Sequence, residues 1–209
     1  MRRAVGAMAI SLTVGRGRGL ANGEKRGRAE EGAFRDGTSG LRTPDQGRGR
    51  EMARIVVKMG ELEVSDRAGD ILTAILGSCV GVLIFDAREG RAGMAHVMLP
   101  ERIDPNASME KRGKYAIPAV KALYREMLEL GSRPSALAAK LSGGARMFSD
   151  NNLQNIGERN LEMVRYALGK LGMAVVAERT GGFKGRSVSV DVATGRMKVR
   201  DADGMEEII

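Results

Sequence analysis

Residues 71–86 read ILTAILGSCVGVLIFD. A tight turn, LGS at Leu76–Ser78, leads into a short and mostly apolar run that ends at Asp86. A run of that length bounded by turn signals predicts a buried strand. Asp86 and the REGR that follows it predict a turn, and AGMAHVMLP, residues 92–100, predicts a return strand stopped by Pro100. The pair holds the only cysteine of the chain, Cys79, and the only histidine, His96. On neighbouring strands of one sheet, their side chains come within reach of each other.

Outward from this pair the pattern stays regular. MARIVVKMGELEV, from Met52, reads as strand, turn, strand. PERIDPNASMEKRGK, Pro100 to Lys114, reads as a polar loop. In YAIPAVKALYREMLELG, residues Ala116, Val120, Leu123, Met127 and Leu130 line one helical face, with Pro118 confined to the first turn and Gly131 as the stop. The REMLE segment of that helix reads as its solvated side. SALAAKLSGGA predicts a strand entering a glycine turn. NIGERNLEMVRYALGKLG predicts a second helix, with Leu161, Val164, Leu168 and Leu171 on one face. MAVVAERT reads as a strand, GGFKGR as a loop, and SVSVDVATGRMKVR as a hairpin turning at ATG. Strands, helix, strand, helix and strands in that order predict an α/β or α+β sandwich of mixed strands, with two main helices packed on the sheet.

The composition sets limits. Of 209 residues, 43% are hydrophobic but only 3% aromatic, so the core is built from Val, Ile, Leu, Met and Ala. One cysteine forms no internal disulfide and fits a reducing compartment. With one His beside it, the usual tetrahedral metal set cannot be assembled from these residue types, so no metal is expected. No apolar run is long enough for a membrane helix.

The net charge of +8 points toward anionic partners, but its location weakens that reading. Residues 1–50 contain eleven basic and five acidic side chains, so they hold +6 of the +8. This segment is rich in Gly and Arg without an apolar period, and is expected to be disordered over residues 1–51. It reads as a start-site artefact preceding Met52, as a basic tail, or as a signal peptide whose flanking Arg16 and Arg18 argue against secretion. The remainder, 52–209, is nearly balanced in charge, and nucleic-acid binding is not expected of it.

Cys79 and His96 have a plain chemical use. A thiolate attacks a carbonyl carbon, a nearby imidazole takes the thiol proton, and a third group fixes the ring. N–H groups around Gly77, Ser78 and Cys79 would face the developing oxyanion, and Gly77 permits close approach. The competing reading is a core cysteine and a core histidine. NIGERN, with Asn155, Gly157, Arg159 and Asn160, reads as a helix cap that ties loops together. Gly181, Gly182 and Arg186 read either as lining for a substrate cleft or as a turn with an exposed arginine.

LTAILGSCVGVLIFD followed by GMAHVMLP, with 17 residues from Cys to His, resembles the chemoreceptor glutamine deamidases of the CheD family. The resemblance continues through KYA, SGGARMF, NIGERN, AERTGG and GRSV, from about Met52 to the C-terminus. It implies a protein-glutamine deamidase that acts on methyl-accepting chemotaxis receptors and releases ammonia. It implies Cys79 as nucleophile, His96 as base, and Thr73, six residues before the cysteine, as the side chain that orients the ring. No cofactor and a cytoplasmic location are expected, with a CheC-type phosphatase as a possible partner. A binding module regulating that phosphatase is the alternative. The implied fold is that of the cytotoxic-necrotizing-factor type Cys-His deamidases.

Overall fold

The computed structural model describes residues 52–102, 111–147 and 155–209. The Gly/Arg-rich segment 1–51 and much of the polar loop after Pro100 lie outside them.

The described residues form ten strands and two α-helices: β1 (Arg54–Val56), β2 (Leu62–Ser65), β3 (Ile71–Leu76), β4 (Val80–Asp86), β5 (Arg91–Val97), α1 (Ala116–Glu129), β6 (Ala138–Gly143), α2 (Ile156–Lys170), β7 (Val175–Thr180), β8 (Arg186–Asp191), β9 (Met197–Asp201) and β10 (Glu206–Ile208). A 3₁₀ turn spans Pro134–Ala136. The strands make two five-stranded sheets, ordered β1-β3-β8-β9-β10 and β2-β5-β4-β6-β7. Both are mixed, since β1 runs parallel to β3 and β6 parallel to β7. The expected sandwich is therefore present, but with two sheets where the local pattern implied one.

β4 is the centre of the second sheet, antiparallel to both β5 and β6. Its alternate residues feed two cores. Val80, Val82 and Ile84 pack under α1 and α2, while Leu83 and Phe85 pack toward the first sheet. A strand buried on both faces needs apolar residues at every position, which is why its sequence lacks polar alternation. Leu72, Ala74 and Leu76 of β3 and Val188 and Val190 of β8 supply the other wall of the intersheet core.

Each helix ends as its glycine requires. Gly131 has φ 92°, its N–H bonds to Leu128 O, and the N–H of Ser132 bonds to Met127 O. Gly172, with φ 65°, repeats the arrangement through Gly169 and Leu168. These are Schellman caps, in which a left-handed residue lets the last carbonyls find donors.

Lys140 is buried between the sheets. Its ammonium donates to Gly195 O at 2.8 Å and Ile209 O at 2.9 Å and lies 4.9 Å from the centre of the Phe85 ring. Two main-chain acceptors and a ring face replace the water it has lost.

Two glycines of α2 behave oppositely. A Cβ on Gly157 would lie 2.6 Å from Gly144 O and 2.7 Å from Ala145 O, whereas a Cβ on Gly169 meets nothing within 4 Å. Gly169→Ala is expected to raise stability by about 0.5–1 kcal/mol through helix propensity. Gly157→Ala is expected to lower it by about 1–3 kcal/mol, because backbone must move. Urea denaturation of the two variants checks the opposed signs.

Candidate active site

Cys79 lies where the chain leaves the first sheet for the second. β3 ends at Leu76 and β4 begins at Val80, so Gly77, Ser78 and Cys79 make the crossing. Each carbonyl of this crossing is held from outside it. Ala145 N–H donates to Gly77 O at 2.9 Å, the Asn160 amide to Ser78 O at 3.0 Å, and Gly144 N–H to Cys79 O at 2.8 Å. The N–H groups of Gly77 and Ser78 meet no acceptor among the described residues.

The glycines of SGGA make this grip possible. Gly143 has φ 98°, and a Cβ there would stand 2.2 Å from Cys79 O. Gly144 has φ 68°, and a Cβ there would run into Leu161. Only glycine takes that backbone at that separation. A cavity of about 80 Å³ opens beside Ser78, between Ala145–Met147 and Asn155–Gly157.

His96 sits in β5, opposite Gly81 of β4. Side chains two residues apart share a strand face, so His96 follows Ala92 and Met94 into the intersheet core, where Cys79 also packs. Its main chain is fixed on both sides, with N–H donating to Glu61 O at 2.9 Å and O accepting from Gly60 N–H at 3.0 Å. Its ring nitrogen Nδ1 lies 3.1 Å from Val57 O. A carbonyl only accepts, so Nδ1 carries the proton and Nε2 keeps its lone pair. That Nε2 is buried and has no partner among the described residues.

Thr73 is placed differently from the expectation. In β3 it alternates with buried Leu72 and Ala74 and shares a face with Ile75, which is 81% exposed. Its hydroxyl therefore points to the outer side of the first sheet and donates to Ile55 O at 3.3 Å, not to the imidazole. The group that holds the ring is the Val57 carbonyl. Thr73 touches it only through the main chain, since Val57 N–H donates to Thr73 O at 2.8 Å. The groove that Thr73 lines, about 440 Å³ with Arg54, Ile75 and Lys198, runs over that outer face.

Arg186 is also occupied. It is 5% exposed, donates to Arg179 O at 2.5 Å and Gly181 O at 2.6 Å, and lies 3.6 Å from Asp201. It braces the TGG segment from below. In NIGERN, Asn155 makes no side-chain bond to the helix backbone and pairs with Glu158, while Arg159 pairs with Glu101 at 2.8 Å. Asn160 is the member that reaches the crossing.

Neither titrating group is charged at rest. Burial pushes the Cys79 thiol up, with its own N–H pulling the other way. Burial lowers His96, opposed by the Val57 hydrogen bond and by Glu61, and assisted by Lys111. The thiol packs against the intersheet core that the His96 ring enters, and no hydrogen bond joins the two among the described residues.

The family model described as CheD chemotactic sensory transduction matches residues 98–201. A protein of Thermotoga maritima named chemoreceptor glutamine deamidase CheD is 42% identical over 153 residues, covering 73% of this chain and 95% of that protein. One of Geobacillus kaustophilus, named probable chemoreceptor glutamine deamidase CheD, is 43% identical, covering 70% and 92%. Among solved structures, a Neisseria meningitidis protein of the DUF152 family is 13% identical with a TM-score of 0.40, covering 70% of this chain and 73% of that chain.

The depressed His96 ring gives a stability signature. Below pH 6.5 the unfolded chain takes up a proton that the buried ring refuses. Stability is therefore complete above pH 6.5 and falls as pH drops toward the folded value. Urea midpoints between pH 7.5 and 5.5 are expected to decline in the wild type, and to decline less in His96→Gln, which has no histidine left.

Proposed function

This chain belongs to the CheD family, and on that premise we propose that it is a protein-glutamine deamidase acting on chemoreceptors. It converts particular glutamine side chains of methyl-accepting chemotaxis receptors to glutamate and releases ammonia, a step in chemotactic adaptation. The observation that supports the reading best is the free Nε2 of His96, buried on the side of β5 that faces the intersheet core against which Cys79 packs. A merely structural histidine satisfies its second nitrogen; a base leaves it open.

In the proposed mechanism His96 Nε2 takes the Cys79 proton, and the thiolate attacks the glutamine carboxamide carbon. The carbonyl electrons move to oxygen, where N–H groups of the Gly77–Cys79 crossing receive them. The imidazolium returns its proton to the departing nitrogen, the C–N bond breaks, and ammonia leaves a thioester. Water then attacks the thioester carbon while His96 takes its proton. The C–S bond breaks, the thiolate recovers a proton, and glutamate departs. The Val57 carbonyl keeps the ring in the competent tautomer throughout. Thr73 acts at one remove, holding β1 and hence Val57, and Arg186 serves as a brace instead of a substrate contact.

The domain that works is 52–209, in the cytoplasm, without residues 1–51. No helix among the described residues is long and apolar enough to cross a membrane. The finer likeness to cytotoxic-necrotizing-factor type deamidases is part of the same proposal, supported by a cysteine at the mouth of a central strand and a histidine on its antiparallel neighbour. A CheC-type phosphatase is the proposed additional partner. Regulation of that phosphatase by docking alone is the alternative, and it gives the unpartnered Nε2 no use.

Residues 52–209 are mixed with a receptor cytoplasmic fragment, and glutamine peptides are followed by mass together with released ammonia. Cys79→Ser and His96→Gln are each expected to lose about 10³-fold or more of the wild-type rate. Thr73→Ala is expected to stay within about tenfold of wild type, because the ring keeps the Val57 carbonyl. Conversion by Cys79→Ser at the wild-type rate would sink the mechanism.

A further inference from the structure

Asn160 is wholly buried in α2, yet its amide does nothing for its own helix. The Nδ2 group donates to Ser78 O at 3.0 Å and to Met98 O at 3.0 Å. Ser78 directly precedes Cys79, and Met98 stands two residues beyond His96. One NH₂ group thus ties the segment carrying the thiol to the segment carrying the imidazole. The amide cannot be turned over, since Oδ1 would then face two carbonyl oxygens.

The grip on Ser78 has a second consequence. In a trans peptide the C=O of one residue and the N–H of the next point in opposite directions. Holding Ser78 O toward α2 therefore turns the Cys79 N–H away from α2. That N–H is a natural donor to negative charge on sulfur or on the attacked oxygen.

The fold makes room for this contact. Gly157, one helical turn before Asn160, lets α2 approach Gly144 and Ala145 more closely than any Cβ allows. The short asparagine side chain can then span the gap. Its Oδ1 remains buried with no donor among the described residues. An apolar side chain there would leave Ser78 O and Met98 O without this donor, so the two carbonyls account for an amide at this position.

We propose that Asn160 is a positioning residue of the active site, orienting the Ser78–Cys79 peptide and fixing the separation of the Cys79 and His96 segments. The proposal rests on the deamidase reading for its effect on turnover. Its effect on the thiol can be read without any receptor, because Cys79 is the only cysteine and alkylation reports it alone.

The test compares Asn160→Leu, which keeps the branched shape but removes the donor, with Asn160→Ala, which admits water to the two carbonyls. Lys140→Met is the control, since it also strips a buried donor from two main-chain carbonyls, Gly195 O and Ile209 O. Each protein is assayed at a temperature where its thermal denaturation curve shows it folded. Iodoacetamide alkylation is followed from pH 7 to 10, and kcat and KM for receptor deamidation are measured separately. Both Asn160 variants are expected to be alkylated about threefold to tenfold more slowly at pH 8, with the curve displaced to higher pH. Their kcat is expected to fall about 10–100-fold with KM little changed. Lys140→Met is expected to melt lower while keeping the wild-type alkylation curve. Alkylation curves of the Asn160 variants that superimpose on the wild type, or an equal displacement in Lys140→Met, would overturn the proposal. Absence of deamidation by the wild type would defeat the deamidase reading while leaving the alkylation comparison intact.

Discussion

Three consecutive main-chain carbonyls, at Gly77, Ser78 and Cys79, are gripped by donors from two other parts of the chain. This is the constraint on which the site depends. The crossing between the sheets is too short to form a ladder of its own, so it would be free to turn its peptides. Ala145 and Gly144 from the end of β6, and Asn160 from α2, remove that freedom. Once the carbonyls are committed outward, the N–H groups face the opposite way by peptide geometry alone. The two positive-φ glycines of SGGA and the bare Cα of Gly157 follow from the same demand, since each admits a backbone where a side chain would stand.

The histidine is held by the same means. Its ring, its N–H and its carbonyl all meet the segment Val57–Glu61, and Gly113 closes over that segment, where a Cβ would lie 2.2 Å from Glu61 O. Both groups of the pair are therefore placed by main-chain hydrogen bonds inside a low-dielectric setting. Burial raises the thiol and lowers the imidazole, so the neutral pair is the resting form. A preformed ion pair would require the pocket to solvate two charges before substrate arrived. In the proposed mechanism charge develops only once an oxyanion forms beside its donors.

Much of this was legible in the sequence, for identifiable reasons. β4 declares itself because both of its faces are buried, and the helices because their apolar period ends at Gly131 and Gly172. Cys79 and His96 stand out as singletons in adjoining strands. The two-sheet division was not legible, because local alternation tells which residues face a core but not which strand lies beside them. β10 escaped because Glu206 and Glu207 carry no strand pattern, and its place comes from pairing with β9. Val57 escaped because a carbonyl has no signature in the side-chain code. Asn160 was in view within NIGERN, but an asparagine near a helix start reads first as a cap.

The placement of Thr73 shows why a position and its role must be separated. An imidazole needs an acceptor on Nδ1, and any carbonyl of suitable direction supplies one. A main-chain acceptor is neutral, so it fixes the tautomer while adding little charge stabilisation to the imidazolium. It is also immune to substitution at its own side chain, but not to movement of its strand. β1 is only three residues long and parallel to β3, and its hold includes the Thr73 hydroxyl on Ile55 O and the Thr73 carbonyl on Val57 N–H. A threonine on the outer face of one sheet is thereby tied to the strand that leads into the Val57 carbonyl. The same logic distinguishes the residues that touch the reacting atoms from those that keep them in place.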